Sequence, residues 1–429
     1  MTRDPSPAPR LRLLLTLPPL LVPLLVGCSD PEPRRNLLVI AVGSLRADRL
    51  GNYGYERPTS PVLDRLCAES VVFEDAHAAA PWTLPSFASL LTSQFPTTHA
   101  CWQFEDRLAN AFTTLPEVLR RVGYRTGAVV SHVFLGRGHG LRQGFQDFDD
   151  ELVRAPAEEL HHLISSPEVS DRAIAFLRRA AVDASRPWCL LAHYGDPHAI
   201  YKTHPGITEH FGPKPPHRYD GEIAFADQHI GRLLAELEAL GLTERTVIAL
   251  VGGHGEEFGE HGGRSHGRTL FTEVERVPLA WRVPGTRPRR VSAVVSLVDF
   301  MPTTIELLGV RRPRLHMAGQ SLRPLMRGEP TAARPTLLEA RPNGLKRDLA
   351  AYVDEEWKLV EDVPRGGGRA RYQLFDRRAD PGELVDLAAQ RPEIVDALCE
   401  RLDEAIFGAE AAAGMFGFVR EGRAAVRRE

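Results

Sequence analysis

Short, almost wholly apolar runs recur along the chain, each closed by small or polar residues. Asn36 to Val42 reads NLLVIAV and ends at Gly43 and Ser44; Arg125 to His132 (RTGAVVSH), Arg186 to Tyr194 (RPWCLLAHY) and Arg245 to Gly252 (RTVIALVG) repeat the pattern. A strand covered on both faces needs apolar side chains on both sides of its pleat, so these runs predict buried parallel strands. Amphipathic helical patterns precede the last three. The clearest is EIAFADQHIGRLLAELEALG, where Ile223, Ile230, Leu233, Leu234 and Leu237 make the apolar face. Helix alternating with strand predicts an α/β fold on a mostly parallel sheet.

In such sheets ligands gather outside the carboxyl ends of the strands. Those ends carry GSLRAD (Gly43 to Asp48), HYGDPH (His193 to His198) and GGHGEE (Gly252 to Glu257), with glycines that admit a close ligand. The main domain is expected over 36–310, ending in the helix-like DFMPTTIELLGV. A small α+β subdomain is expected over 311–405, with short strands paired around a hairpin at Gly366 to Gly368 and the helix RPEIVDALCERLDEAIF beneath them. Residues 406–429 show no clear period and read as a frayed or loosely docked tail.

The first residues need a separate reading. Arg3, Arg10 and Arg12 precede the run LLLTLPPLLVPLLV, which leads into LVGC at Leu25 to Cys28, the pattern of a secretory signal. Pro18, Pro19 and Pro23 and the short length argue against a membrane span. Gly27 followed by Cys28 resembles a bacterial lipobox, whose cysteine is lipidated. The expectation is a lipoprotein signal over 1–28, a polar tether over 29–35, and an exported cell-envelope lipoprotein held to the membrane by a lipid on Cys28; an ordinary signal peptide is the alternative. With 43% hydrophobic and 25% charged residues and a net charge of -3, the chain is ordinary for a globular protein and gives no sign of a nucleic-acid partner. Cys67, Cys101, Cys189 and Cys399 are too scattered for a zinc ribbon and too few for a disulfide framework, which leaves disulfides and buried thiols both open.

The blocks LRADRLGNYGYERPTSPVLDRL, APWTLPSFASLLTSQFPTTHA, HYGDPH, YDGEIAFADQHIGRLL, GHGEEFGEHGGRSHGRTLF, VPLAWRVPG and LVDFMPTTIELLGV, then WKLVED and YQLFDRRADPGELVDLA, resemble in order those of the sulfatase family of the alkaline-phosphatase superfamily. The resemblance implies an alkaline-phosphatase/sulfatase-like α/β sandwich with a mostly parallel central sheet and a small C-terminal α+β subdomain. It also implies a divalent metal (calcium, manganese or zinc) that stabilises the charge of a sulfate or phosphate ester. Thr83 in TLPSF falls at the nucleophile position, where sulfatases carry a Cys or Ser that becomes formylglycine. Threonine cannot be so converted, so no formylglycine is expected; phosphate-ester members do use threonine. Phe87 stands at the family's arginine position.

The metal positions differ more. Gly43 and Ser44 replace the carboxylates after the first strand, and Gly253 replaces the aspartate before His254, leaving Thr83 and His254 as the residual metal positions. Hard cations want anionic oxygens, and a hydroxyl with an imidazole holds them poorly. His198 and His266 match positions that contact the ester's anion or a second metal, and with Asp196 they form a candidate partial metal site. Arg46 is a further candidate for the anion. Thr83, His198, His254 and His266 are thus the candidate catalytic set, and Asp196, His198, His266 and Arg46 the candidate substrate contacts. His193 and His261 read as structural, Asp48 as a turn too far along to replace the missing acid, and Glu256, Glu257 and Glu260 as solvated loop charges or helix-start acids. Two functions follow. One is a sulfatase-type lipoprotein, impaired in metal-dependent catalysis, that takes a sulfated or phosphorylated small molecule or glycan. The other is an active phosphoric-ester hydrolase or transferase that uses Thr83 with a rearranged metal site.

Overall fold

The computed structural model describes residues 1–2, 34–154, 164–183 and 185–412. The expected signal with Cys28 lies outside the described residues, as does the tail beyond Ala412. The apolar runs become the middle of one sheet. β1 (Asn36–Val42), β5 (Trp188–Tyr194) and β6 (Thr246–Gly252) are buried at every position. They pair in parallel, with Ile40 between Ala192 and Leu250. The sheet continues in parallel through β3 (Arg125–Val129) and β4 (Asp147–Asp149) on one side. On the other, β9 (Leu279–Arg282) runs antiparallel to both neighbours and leads to β2 (Val71–His77) and β10 (Arg289–Ser296), which pair in parallel. Between β6 and β9 the chain forms a short antiparallel ribbon, β7 (Glu257–Phe258) with β8 (Arg264–Ser265).

Alternation along β1 explains why both of its faces are apolar. Leu38, Ile40 and Val42 meet α1 (Pro61–Ala68), α3 (Ser166–Val182) and α4 (Pro215–Ala239) through Leu66, Phe176, Leu177 and Leu233. Leu37, Val39 and Ala41 face the opposite layer, where α2 (Thr83–Thr92) and α5 (Phe300–Leu307) contribute Leu84, Phe87, Leu91, Met301 and Ile305. The result is the expected three-layer arrangement. Helix α4 starts at Pro215, earlier than its apolar face suggests, because proline suits the first helical turn. The added turns carry the buried polar residues Tyr219 and Asp220.

The C-terminal subdomain is an antiparallel meander of β11 (Thr336–Ala340), β12 (Arg347–Val353), β13 (Trp357–Pro364) and β14 (Arg371–Asp376). Gly366, Gly367 and Gly368 all adopt positive φ in the β13–β14 hairpin, a conformation other residues resist. Helix α6 (Pro392–Ala412) packs Leu398, Leu402 and Ile406 against Leu337, Leu359 and Leu374. It runs past residue 405, so the first part of the expected tail is helix. Cys67, Cys101, Cys189 and Cys399 are buried free thiols.

Candidate functional site

Thr83 opens α2 at the carboxyl ends of β1 and β6, where the helix presents its positive end. Its hydroxyl lies 3.2 Å from His254 Nε2. His254 Nδ1 is 2.9 Å from the Gly255 carbonyl, which can only accept, so Nδ1 carries the proton and Nε2 accepts from Thr83. More imidazoles gather here: the His254 ring lies 4.3 Å from His266, His266 5.1 Å from His198, and His198 5.1 Å from His132. Burial, reinforced by neighbouring imidazoles, holds His132 and His254 well below the ordinary range and His193 at about 3; burial alone lowers His266 to about 4. These rings are neutral at pH 7. Below His266, Glu256 Oε1 lies 3.1 Å from Nδ1, and burial raises this carboxyl.

Two residues of α4 hold the ligand loops. Tyr219 donates to the Ser44 carbonyl at 2.6 Å and accepts from the Arg46 N–H at 2.9 Å. Glu222 accepts from the N–H groups of Lys202 at 2.8 Å and His198 at 3.2 Å. Both escaped the sequence reading. Polar side chains on the buried face of an amphipathic helix were the available signal.

The residues present do not fit the family's divalent metal. A Cβ at Gly253 would lie 2.6 Å from Phe87 Cε2, and one at Gly43 would lie 3.4 Å from His193 Nε2. The Phe87 and His193 rings pack edge to face with centroids 5.3 Å apart, so the Phe87 ring occupies the place of a side chain at position 253, while one at position 43 would meet His193 at van der Waals contact. The Ser86 hydroxyl donates to the Gly253 carbonyl and fixes that loop against α2. Ser44 Oγ and His193 Nε2 remain buried without partners among the described residues, but both are neutral donors, and no anionic oxygen joins them. Among the described residues no group of three or more His, Cys, Asp or Glu is placed to hold a metal.

Several expected roles need correction. Asp196 is not a ligand of the site: its carboxylate accepts from Ser165 N at 2.8 Å, Ser165 Oγ at 3.2 Å and Ser166 N at 2.6 Å, and so caps α3. The partial site of Asp196, His198 and His266 therefore does not form. Arg46 is not available to an anion, because its guanidinium is taken by Asp48 at 2.7 Å and Glu260 at 2.5 Å. Burial works against its charge, and these two carboxylates more than compensate, so its pKa rises. Glu256 and Glu257 are buried rather than solvated, and burial moves Glu257 up to about 7. His261 is tied to its surroundings by both ring nitrogens, with Nδ1 2.7 Å from Glu273 and Nε2 3.0 Å from the Glu383 carbonyl. The Asp196 assignment predicts that Asp196→Ala lowers stability by about 1–2 kcal/mol in a denaturant melt while sulfate affinity stays unchanged.

The site opens into a cavity of about 670 Å³ above Thr83, His198 and His266. Its walls include residues the sequence did not single out: Trp82, Phe104, His132, Phe134, Lys202, Arg264 and Arg268. The arginines sit just past the ribbon turn, where charge on a glycine-rich loop was the one visible cue.

The family description "Sulfatase" matches residues 35–310, and "N-sulphoglucosamine sulphohydrolase, C-terminal" matches residues 259–407. Arylsulfatase K of Gallus gallus is 24% identical, covering 87% of this chain and 84% of its own. Among solved structures, phosphonate monoester hydrolase of Agrobacterium radiobacter superposes with a TM-score of 0.74 at 21% identity, covering 88% of this chain and 96% of its own. BT4656 in complex with its substrate D-glucosamine-2-N,6-O-disulfate superposes with a TM-score of 0.72 at 18% identity, covering 87% of this chain and 98% of its own. At such identities the structural likeness establishes the fold.

Proposed function

The chain belongs to the sulfatase family, and from that premise we propose that it is an exported lipoprotein that binds a sulfated or phosphorylated small molecule or glycan without the family's metal-dependent hydrolysis. One observation carries the reading: the Phe87 ring stands 2.6 Å from where a Cβ at Gly253 would be, so the missing carboxylate and the aromatic ring are two halves of one change. The ligand class draws on the relatives, one of which is solved with a disulfated glucosamine as its substrate. Export and lipidation draw on Arg3, Arg10, Arg12 and Cys28. Anion binding draws on Lys202, Arg264 and Arg268 around the cavity and on the helix end at Thr83.

The neutral histidines give this binding a pH dependence. A bound anion favours the imidazolium form, so it raises histidine pKa values that burial depresses in the free protein, and binding takes up protons. Affinity for sulfate is therefore expected to rise as pH falls from 7 to 5, by up to about tenfold per pH unit for each proton taken up. Isothermal titration in two buffers of different ionisation enthalpy reads the proton count directly. A pH-independent affinity would remove the histidines from the anion site.

A second reading is favoured by the Thr83–His254 geometry. The Thr83 oxygen would attack phosphorus as His254 Nε2 takes the hydroxyl proton, the P–O bond to the alcohol would break with that proton passed to the leaving oxygen, and water would then cleave the phosphothreonine with His254 as base. The deciding test offers phosphate and sulfate esters with and without excess calcium, manganese or zinc, with Thr83→Ala as control. Sulfate affinity without turnover is the expected result. Turnover that disappears in Thr83→Ala would replace the binding reading with the hydrolase.

A further inference from the structure

The amino ends of the parallel strands, at the far end of the sheet from Thr83, carry a second cavity of about 310 Å³. β9 runs antiparallel to β6, with Arg282 beside Ile248, so the turn from Val283 to Thr286 emerges close to the start of β1. That turn, Leu307 at the end of α5 and the short helix Arg323–Arg327 form the walls. β1 is seven residues long, which puts about 20 Å of sheet between this cavity and the Thr83 site. Arg35, Arg323 and Arg327 bring three guanidinium groups to the cavity, and no acidic side chain lines it. Arg323 lies 3.1 Å from Glu306 and Arg327 3.5 Å from Glu329, in exposed pairs that hold an arginine weakly. The Arg35 side chain has no hydrogen bond or ion pair among the described residues. The Arg289 guanidinium stands against Gly328, at the end of the same short helix, and adds a fourth cation.

Like charges gathered without an acid repel one another, and an anion that enters relieves the repulsion. Planar guanidinium groups match the oxygens of a phosphate. The position of the cavity says which phosphate. Arg35 is seven residues from Cys28, and an extended chain of that length reaches at most about 25 Å, so an acyl group on Cys28 would keep this end of the sheet near the bilayer. A net charge of -3 gives the chain no general attraction to an anionic surface, so the attraction has to be local. We infer that this cavity takes the phosphate headgroup of an anionic phospholipid, with the arginines on the phosphate and Leu307 and Met326 against the glycerol and the first acyl carbons. The inference rests on the lipoprotein reading for the nearness of a bilayer. It adds how the protein sits there, with the amino ends of the sheet on the membrane and the Thr83 cavity turned to solution.

Vesicle flotation tests it on the chain from Ser29 onward, which has no acyl group and keeps every strand and helix of the fold. Vesicles of phosphatidylcholine with equimolar phosphatidylglycerol are expected to carry the protein, and vesicles of phosphatidylcholine alone are not. Arg35→Ala with Arg327→Ala is expected to weaken the binding about thirtyfold, the effect of two basic contacts at an anionic surface. Arg35→Lys with Arg327→Lys keeps the charges and is expected to bind nearly as the parent does. Arg371→Ala with Arg378→Ala removes the same charge from exposed positions of the C-terminal subdomain and is expected to change nothing. An equal loss in that pair, or no loss in Arg35→Ala with Arg327→Ala, overturns the site. Saturable calorimetric binding of glycerol 3-phosphate without vesicle binding would make a soluble phosphate ester the ligand and overturns it too. Labelling the full chain with palmitate in a bacterial host decides the lipoprotein reading separately. Vesicle preference without label upholds the site and ends the anchor; label that Cys28→Ser removes, without vesicle preference, upholds the anchor and ends the site.

Discussion

Replacing Gly253 by aspartate is expected to destabilise the protein by about 3–5 kcal/mol and to bring no tightly held divalent cation. On the sequence alone this change returns the missing ligand next to His254. In the structure the new Cβ would meet Phe87 Cε2 at 2.6 Å, and Phe87 is itself buried, only 1% exposed, so the ring would have to shift within the core. The carboxylate would be buried beside an aromatic ring and an imidazole held neutral, with no cation to pair it. Adding Phe87→Ala is expected to recover part of the loss by removing the clash. Adding Gly43→Asp as well puts both acids around a space bordered by the His193 ring and the Tyr194 carbonyl, and this triple variant is the one expected to gain manganese or calcium. Thermal melts with elemental analysis of the single, double and triple variants check the order. One bound metal in Gly253→Asp, at an unchanged melting temperature, would show that the rings yield and do not block the site.

Substituting Lys358 by methionine is expected to cost a similar amount, about 3–5 kcal/mol, for a different reason. Lys358 is fully buried, with Nζ 2.8 Å from Glu275 Oε1 and 2.8 and 3.1 Å from the two oxygens of Glu383. Burial lowers the ammonium's pKa, but the two carboxylates outweigh it and hold the group charged. Glu275 also bonds His77, whose Nε2 lies 2.8 Å from Asp75, and Asp75 in turn takes Arg377 at 2.7 and 2.9 Å. The chain of charges thus stitches β2 of the main sheet to β13 and the turn after β14 in the subdomain. Without Lys358, two carboxylates would face each other out of water. Lys358→Met combined with Glu383→Gln is therefore expected to lose less than Lys358→Met alone, a comparison that denaturant melts resolve. Glu383 also accepts from Thr272 N at 3.0 Å and offers its carbonyl to His261, so hydrogen exchange is expected to quicken in the loop that carries Arg264 and Arg268. If the double variant is no better than the single one, Lys358 acts by packing and not by charge.

The sequence by itself determined the central strands β1, β3, β5 and β6 and the helix α4, because burial on both faces leaves a local mark: the unbroken apolar run of β1 and the period of α4 need no knowledge of their neighbours. It also determined that residues 43, 44 and 253 carry no carboxylate, since that is a statement about residue type. Only the tertiary structure decided what the polar side chains point at. Asp196 turned out to cap α3, Arg46 to pair with Asp48 and Glu260, and Glu256 and Glu257 to lie buried, because a hydrogen-bonding group takes its role from partners that other segments bring to it. The same holds for the filled metal position. Phe87 and Gly253 are remote in the chain and adjacent in space, and close packing makes the ring and a side chain at position 253 compete for one space, which no local pattern records.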